Sequence, residues 1–499
     1  MNVDYIIVQA GGKGTRLEHL TKNKPKSLVP INNLPMLFHL FYKYPSKKFI
    51  IIGDYKIEVL KKYLNTFAKV NYLIIDASKH KGTCAGIKDA LKIIPENASF
   101  MLIWSDLILS KEFEFPNEKN NYIGISKDFP CRWKYEKNIF KEEKSDTNGV
   151  AGLFIFNNKK IISDVPDEGE FVRWLQTKNM KFKELPLLKT KEYGLLSELK
   201  KIENKKCRPF NNIYEKDGKL IKEGIDTQGK ELAKKEINWY KKIKKFGYNS
   251  IPKIYSYEPL IMEKIDGKNV YDYNFSLEQK KEVLKNIISN LDILHNLDCK
   301  ETDYYSMKET YLSKTLNRLE KVRNLIPFAN KKYIVINGKK CKNIFYFQEE
   351  FEKAVSELNC NQFTIIHGDC TFSNIILKND NNPILIDPRG YFGDTKIYGD
   401  PKYDWAKLYY SIVGDYDMFN LKKFNLNILE KQVELSIETN NWKDMEEYFF
   451  KLLEEKVTKK EIKLIHALIW LSLTTYAWED YDSICGAFYN GLYYLEEVL

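Results

Sequence analysis

Residues 5–17 read YIIVQAGGKGTRL: a short β-rich run that passes straight into a glycine-rich turn. Outward from it the same kind of run recurs as KFIIIGD (48–54), VNYLIID (70–76) and SFMLIWSD (99–106), separated by stretches of helical character. Strand alternating with helix predicts an α/β domain with a Rossmann-like, mostly parallel sheet covered on both faces. GLFIF (152–156), a helix around 170–178 and FKELPLL (182–188) are expected to close that sheet, so the first domain is set at 1–200. ELKKIENKKCRPFNN (198–212), a charged helix end followed by Pro209 and two asparagines, predicts a linker at 201–211. IYEKDGKLIKEG (213–224) carries an Asp217-Gly218 hairpin turn and opens a second domain, 212–499. Long helical stretches follow, a strand-rich patch interrupts them at 363–386, and the last hundred residues read as helix with many aromatics.

With 499 residues, 43% hydrophobic and 29% charged, and with 24 Gly and 16 Pro, the chain is neither disordered nor collagen-like, and two or three packed domains are expected. The net charge of +11 comes largely from lysines interleaved with glutamates, as in KKEINWYKKIKKF (234–246), where Ile237, Tyr240 and Ile243 recur at helical spacing and the lysines face water. No nucleic-acid partner is expected. The eight cysteines form no CxxC pair and lie at no zinc-ligand spacing with His, so buried reduced thiols are expected. The apolar run near the N-terminus is too short for a signal peptide or a membrane span, which points to a cytoplasmic protein without stable membrane insertion. A homo-oligomer stays open.

The turn after the first strand exposes successive backbone N–H groups. Gly11, Gly12 and Gly14 let the main chain approach a polyphosphate, and Arg16 offers a planar cationic fork to phosphate oxygens. In KPKSLVP (24–30), Pro25 holds Lys26 in an extended segment from which its ammonium reaches the same phosphates. Asp106 of WSDL (104–107) lies at the carboxyl end of a buried strand, where such sheets bind ligands, and suits Mg²⁺.

GGKGTRL followed by NKPKSLVPI resembles the nucleotidylyltransferases that join a nucleoside monophosphate to a sugar phosphate or phosphocholine. The resemblance implies a nucleoside triphosphate held by Gln9, Ala10, Gly11, Gly12, Gly14, Thr15 and Arg16, with Lys26 on a phosphate. It also makes KGTCAGI (81–87) the loop for base and substrate, through Gly82 and Thr83. Many members carry a second metal aspartate in a D-x-G context; here Glu192-Tyr193-Gly194 stands there, so Glu192 is the candidate second ligand. A domain ending near residue 200 is closer in length to phosphocholine cytidylyltransferases than to sugar-1-phosphate enzymes. Attack by an acceptor phosphate on the α-phosphorus brings two polyanions together, and Arg16, Lys26 and Mg²⁺ on Asp106 would offset their repulsion.

FTIIHGDCTFSNIILKNDNNPILIDPRG (363–390) holds a second constellation. Strands IIL (375–377) and ILI (384–386) form a hairpin whose open end sets Asn374 beside Asp387, with Asp369 five residues before Asn374. Two oxygen ligands and a nearby carboxylate describe a Mg²⁺-nucleotide site with a group that orients an attacking hydroxyl. His-x-Asp with Asn five later, then a metal Asp, is the spacing of kinase catalytic loops.

HGD with IDP resembles the aminoglycoside phosphotransferase and choline kinase superfamily, over about residues 208–499. That implies a bilobal, kinase-like α+β domain with an N-lobe at 212–265 and a C-lobe at 266–499. It makes Asp369 catalytic and assigns the nucleotide lysine to Lys222, paired with Glu236, with Lys219 and Glu231 as fallbacks. Met262, Glu263 and Lys264 would bind adenine through their backbone, and His367 and Asp404 would support the catalytic loop. Gly368 and Pro388-Arg389 depart from choline kinases; Arg389 is either a contact to acceptor or phosphate or a structural salt bridge. Trp405, Trp442, Trp470 and Trp478 are candidates for an aromatic cage around a quaternary amine, or else core.

Together these readings imply a bifunctional enzyme. ATP would phosphorylate a small alcohol (an amino alcohol, a polyol or a related headgroup). A second nucleoside triphosphate, CTP in the first instance, would convert that phosphate into an activated precursor for a surface polysaccharide or lipid. The alternatives are an anomeric sugar kinase fused to a UTP- or GTP-dependent sugar-1-phosphate nucleotidylyltransferase, and a nucleotide-sensing regulatory protein with an inactive domain.

Overall fold

The computed structural model describes residues 2–178, 180–200, 211–378 and 381–499. Met1–Asn204 with Glu479–Asp482 form one compact unit, and Lys205–Trp478 with Ser483–Leu499 form the other. The linker at 201–211 lies outside the described residues except for Asn211, which opens the strand Asn211–Lys216.

Among the described residues, the first unit is built on a nine-stranded sheet. Val3–Gln9 lies between Lys48–Gly53 and Ser99–Trp104 and is parallel to both, and Asn71–Asp76 extends the parallel part beyond Lys48–Gly53. Chain order therefore reverses at Val3–Gln9. In open α/β sheets the crevice outside the carboxyl ends of the strands at such a point is where ligands bind.

On the other side, Gly149–Phe156 runs antiparallel to Ser99–Trp104 and is buried at every residue, as its unbroken apolar text requires. It pairs next with Tyr122–Ser126, to which Lys183–Leu187 adds in parallel and closes the sheet. Tyr122–Ser126 is a strand that the sequence pattern hides. Its central Gly124 reads as a breaker, yet a Cβ there would sit 2.8 Å from Leu187 Cδ1 and 2.9 Å from Leu153 Cβ, so close packing selects glycine. Phe154, Phe156, Phe171 and Phe182 pack edge-to-face beneath the sheet and hold the helix Phe171–Thr177 against it.

In the second unit, Asn211–Lys216, Lys219–Gly224, Leu260–Glu263 and Ile254–Tyr257 make an antiparallel four-stranded sheet. Asp217 (φ 51°) and Gly218 (φ 69°) both take left-handed backbone, the geometry of a two-residue primed turn. The helix Thr227–Lys245 starts where Asp226 accepts from the Gly229 N–H at 2.7 Å. Its buried stripe is Glu236, Trp239, Tyr240 and Ile243, so the inward face includes a glutamate and leaves Ile237 only half-buried. Trp239 Nε1 donates to the Ile366 carbonyl at 2.8 Å and ties this helix to the segment that carries His367.

In the rest of the unit the helix Leu277–His295 packs against Pro383–Leu385 of the hairpin Ile375–Leu377/Pro383–Leu385, and Pro401–Ile412 packs against Lys459–Leu473. The last hundred residues are not all helix. Phe424–Ile428 and Val433–Ile437 pair with each other and join Tyr333–Ile336 and Lys339–Lys342 in a second four-stranded sheet. FNLNI and VELSI alternate with period two, the strand signal that their aromatic, helical surroundings overshadow.

Candidate active sites

In the first unit a cleft of about 680 Å³ opens at the carboxyl ends of Val3–Gln9 and Ser99–Trp104, whose last residues, Gln9 and Trp104, are register partners. Gln9, Gly11, Gly12, Arg16, Lys26, Gly82, Thr83, Asp106 and Glu192 all line it. Ala10 is buried behind the turn, its N–H donating to the Ile52 carbonyl at 2.8 Å, and Thr15 is exposed. Gly14 has φ 65°, and a Cβ on it would stand 3.0 Å from Lys26 Cβ, so the left-handed turn and the approach of Lys26 depend on one glycine. The Lys26 N–H reaches the Gly12 carbonyl at 3.4 Å, and the Lys26 ammonium pairs with Asp106.

Lys191–Glu192 pairs antiparallel with Leu107–Ile108, which puts Glu192 opposite Leu107 and next to Asp106. The Tyr193 N–H donates to the Asp106 carbonyl at 3.1 Å and fixes this approach. Burial, with the Asp106 charge adding to it, pushes the Glu192 carboxyl up to about 6 against the pull of Lys26 and Arg16. A carboxylate pair of this kind, one member desolvated, fits a divalent cation whose remaining ligands are phosphate oxygens. No group of three or more acidic, His or Cys ligands occurs among the described residues.

Gln9 Nε2 donates to the Thr83 carbonyl at 2.7 Å, while Thr83 Oγ1 accepts from the Phe171 N–H at 2.8 Å. The 81–84 loop is thus held between the first strand and the start of helix Phe171–Thr177. Sequence reasoning passed over Asp54 and Glu170, which also line the cleft. Asp54 ends KFIIIGD at the same sheet edge as Asp106, a signal that was available. Glu170 holds Trp133 Nε1 at 2.6 Å and gave none.

In the second unit Lys222, on the strand Lys219–Gly224, reaches Glu236 at 2.7 Å and also pairs with Asp387. Burial works against the Lys222 charge, but Asp387 and Glu236 together hold it protonated. Of the fallbacks, Lys219 lies over the Tyr255 ring at 4.6 Å and Glu231 is exposed.

Ile375 pairs with Leu385, and the Ile386 N–H donates to the Asn374 carbonyl at 3.0 Å, so Asp387 emerges one residue beyond Asn374's partner. Asp387 has φ 58° and its side chain is 53% exposed, open to a cation beside Lys222. Asn374 Nδ2 is committed to the Asp369 carbonyl (2.8 Å) and to Asp369 Oδ2 (2.9 Å), which leaves Asn374 Oδ1 as the atom offered to a metal. Asn374 and Asp387 therefore fit a nucleotide-bound magnesium.

Asp369 is held from the other side by Lys407 Nζ at 2.8 Å. Burial opposes its ionisation, yet Lys407, with His367 and Arg389 beyond, keeps the carboxyl below the usual carboxylate range. Lys407 was not foreseen, although it lies one turn after Asp404 on helix Pro401–Ile412. Asp404, fully buried, accepts from the N–H groups of His367 (2.8 Å) and Gly368 (2.7 Å) and from His295 Nε2 (3.0 Å). His367 Nδ1 accepts from the Asp369 N–H at 3.2 Å and Nε2 faces the Ile386 carbonyl at 3.0 Å, which selects a neutral ring; burial lowers its pKa in the same sense.

Met262 is buried inside the four-stranded sheet. The Glu263 N–H is taken by the Lys253 carbonyl at 2.8 Å and Lys264 by Glu215 at 2.8 Å. Arg389 makes no ion pair with Asp387; it donates to Tyr403 Oη at 2.8 Å and lies 4.4 Å from the Tyr391 ring centre. Trp405, Trp442 and Trp470 are buried in core contacts with His295, Phe372 and Tyr410 and form no cage.

Fold and centres define an α/β unit, in which a lysine pairs with an aspartate beside a second carboxylate, followed by an α+β unit, in which a lysine pairs with two carboxylates. The family model for nucleotidyl transferases matches residues 5–119 and that of the phosphotransferase enzyme family matches residues 226–424. The chain belongs to the nucleotidyl transferase family through its first half. It is 35% identical over 199 residues to D-glycero-alpha-D-manno-heptose 1-phosphate guanylyltransferase of Campylobacter jejuni, covering 36% of this chain and 87% of that protein. It is 27% identical over 124 residues to the bifunctional protein GlmU of Methanococcus maripaludis, covering 24% of this chain and only 29% of that one. Similar solved structures include the inositol-1-phosphate CTP transferase from T. maritima (17% identity, TM-score 0.34, 40% of this chain and 91% of that one). Another is CTP:phosphocholine cytidylyltransferase from Streptococcus pneumoniae (19%, TM-score 0.33, 40% and 97%).

Proposed function

We propose that the chain is a bifunctional enzyme: its second half phosphorylates a small alcohol with ATP, and its first half joins that phosphate to a nucleoside monophosphate with release of pyrophosphate. The observation that carries the reading is that each half sets a cleft lysine in an ion pair with an aspartate, with a second carboxylate lining the same cleft, beside a group suited to the chemistry. Those groups are Arg16 with the glycine turn in one half and Asp369 in the other.

In the second half, Asp369, kept ionised by Lys407, takes the proton of the acceptor hydroxyl as its oxygen attacks the γ-phosphorus, while Lys222 holds the nucleotide phosphates. In the first, Gly11 and Gly12 admit the triphosphate, Arg16 and Lys26 balance its charge, and a phosphate oxygen of the acceptor displaces pyrophosphate at the α-phosphorus. Asp106 with Glu192, and Asn374 with Asp387, would hold magnesium, which would supply further neutralisation of phosphate charge.

The work would be cytoplasmic, on precursors of surface polysaccharide or lipid, with CTP as the second nucleotide. No helix among the described residues is long and apolar enough to cross a membrane. A second reading, GTP-dependent activation of a sugar 1-phosphate, is favoured by the 35% identity to the heptose 1-phosphate guanylyltransferase. Mass spectrometry of products from a pooled alcohol and sugar library with ATP and all four nucleoside triphosphates tests both. A new phosphomonoester with its nucleotide conjugate supports the bifunctional reading, and the attached base chooses between CTP and GTP. No product of either kind refutes it.

A further inference from the structure

The cavity around Asp369, about 180 Å³, is lined by both acidic and basic side chains. Its acidic residues, Glu236, Asp369 and Asp387, are those already assigned to the nucleotide and the proton transfer. The remaining charged lining is entirely basic: Lys222, already paired with Glu236 and Asp387, then Lys314 and Arg318 from the helix Lys314–Val322, Arg389 just after Asp387, and Lys407. Lys407 is matched by Asp369. The other three have no carboxylate within ion-pair distance among the described residues. Arg318 Nη1 donates to the Ser472 carbonyl at 2.6 Å, Arg389 to Tyr403 Oη at 2.8 Å, and Lys314 lies 5.8 Å from the Tyr391 ring centre. Burial, followed by the charges of Arg389, Arg318 and Lys407, drives the Lys314 pKa well below its ordinary value. In the same cavity the Tyr410 hydroxyl is buried without a hydrogen-bond partner.

Three basic side chains that line one cavity without a carboxylate in ion-pair contact offer a place for a bound anion, whose charge would also favour the protonated form of Lys314. Planar guanidinium forks suit carboxylates and phosphates in particular, and a free buried hydroxyl suits a polar substrate. A quaternary or primary ammonium placed against Lys314, Arg318 and Arg389 would be repelled by them.

We propose that the alcohol phosphorylated at Asp369 is itself an anion, a hydroxy acid or an alcohol phosphate, whose negative group is received by Lys314, Arg318 and Arg389. The inference rests on the kinase reading of this cavity and replaces the expectation of an amino alcohol. In the reaction the acceptor oxygen bonds to the γ-phosphorus, the bond from that phosphorus to the β–γ bridging oxygen breaks, ADP leaves, and the hydroxyl proton passes to Asp369.

The test uses the full chain with Mg²⁺ and matched compounds: glycerol, D-glycerate, glycerol 3-phosphate, ethanolamine and choline. ADP release is measured with ATP, and affinity by calorimetry with a non-hydrolysable ATP analogue bound. Glycerate or glycerol 3-phosphate is expected to outperform glycerol by about tenfold or more, and the better of the two tells carboxylate from phosphate. Lys314→Met and Arg318→Gln, each examined separately in case one fails to fold, should collapse that ratio through KM. Preference for choline, ethanolamine or glycerol, or no discrimination by charge, overturns the inference. Failure of the ATP analogue itself to bind refutes instead the kinase reading on which it rests.

Discussion

Lys26 enters its cleft from a one-turn segment behind a glycine loop and meets Asp106 and Glu192 in a space of about 680 Å³, where Arg16 stands exposed on the wall. Lys222 enters from the middle of a sheet and meets Glu236 and Asp387 in a cavity of about 180 Å³ backed by buried polar groups. Both centres pair one lysine with an aspartate and hold a second carboxylate in the same cleft, but the first is framed by loops and the second by a strand, a helix and a hairpin. A loop-built cleft can admit two large polyanions. The narrower cavity leaves less room beside Asp369, and four basic side chains besides Lys222 line it.

The most drastic way to break the comparison is to disable one centre and read both reactions. Asp369→Ala should cut phosphorylation of the alcohol by about 10²–10⁴-fold and leave nucleotidyl transfer from a supplied phospho-acceptor intact, and Asp106→Ala should do the reverse. If either change silenced both reactions in a folded protein, the centres would not be independent.

Asp404→Ala probes the buried frame that only the second centre has. It strands the His367 and Gly368 N–H groups and His295, and should cost about 3–5 kcal/mol of the second unit's stability, seen as an early transition in urea. A single unshifted transition would remove Asp404 from that role.

Lys222→Met should lower phosphorylation by about 10²-fold, mainly through ATP affinity, with pyrophosphate release by the first unit unchanged. Equal losses in both assays would contradict the assignment.

The smallest effect sharpens the contrast in burial. Asp417, which accepts from the Ser373 N–H at 2.8 Å, is pushed by burial up to about 6. A carboxyl raised on folding stabilises fully only below its unfolded value of about 3.8 and loses that contribution as pH climbs through about 6. Asp417→Asn should therefore raise stability at pH 7.5 by up to about 2–3 kcal/mol, with no gain at pH 4. Denaturation curves at the two pH values decide it.

Much of both centres was legible before any coordinates. The glycine turn, Lys26, Asp106, and the Asp369, Asn374, Asp387 spacing are local patterns, and two of them end strands that periodicity already marked. Glu236 was legible only through resemblance, because helical spacing alone turned the helix toward Ile237. Lys407, Lys314 and Arg318 could not be read at all: lysines and arginines on amphipathic helices look the same in a sequence whether they face water or a cavity.

The order of residues alone pointed to an α/β unit followed by an α+β unit, since turn chemistry, strand ends and short-range spacing act over a few residues. Which charges share a cavity was decided only by tertiary structure. That depends on helices far apart in sequence packing side by side, and electrostatic complementarity is set by distance through space.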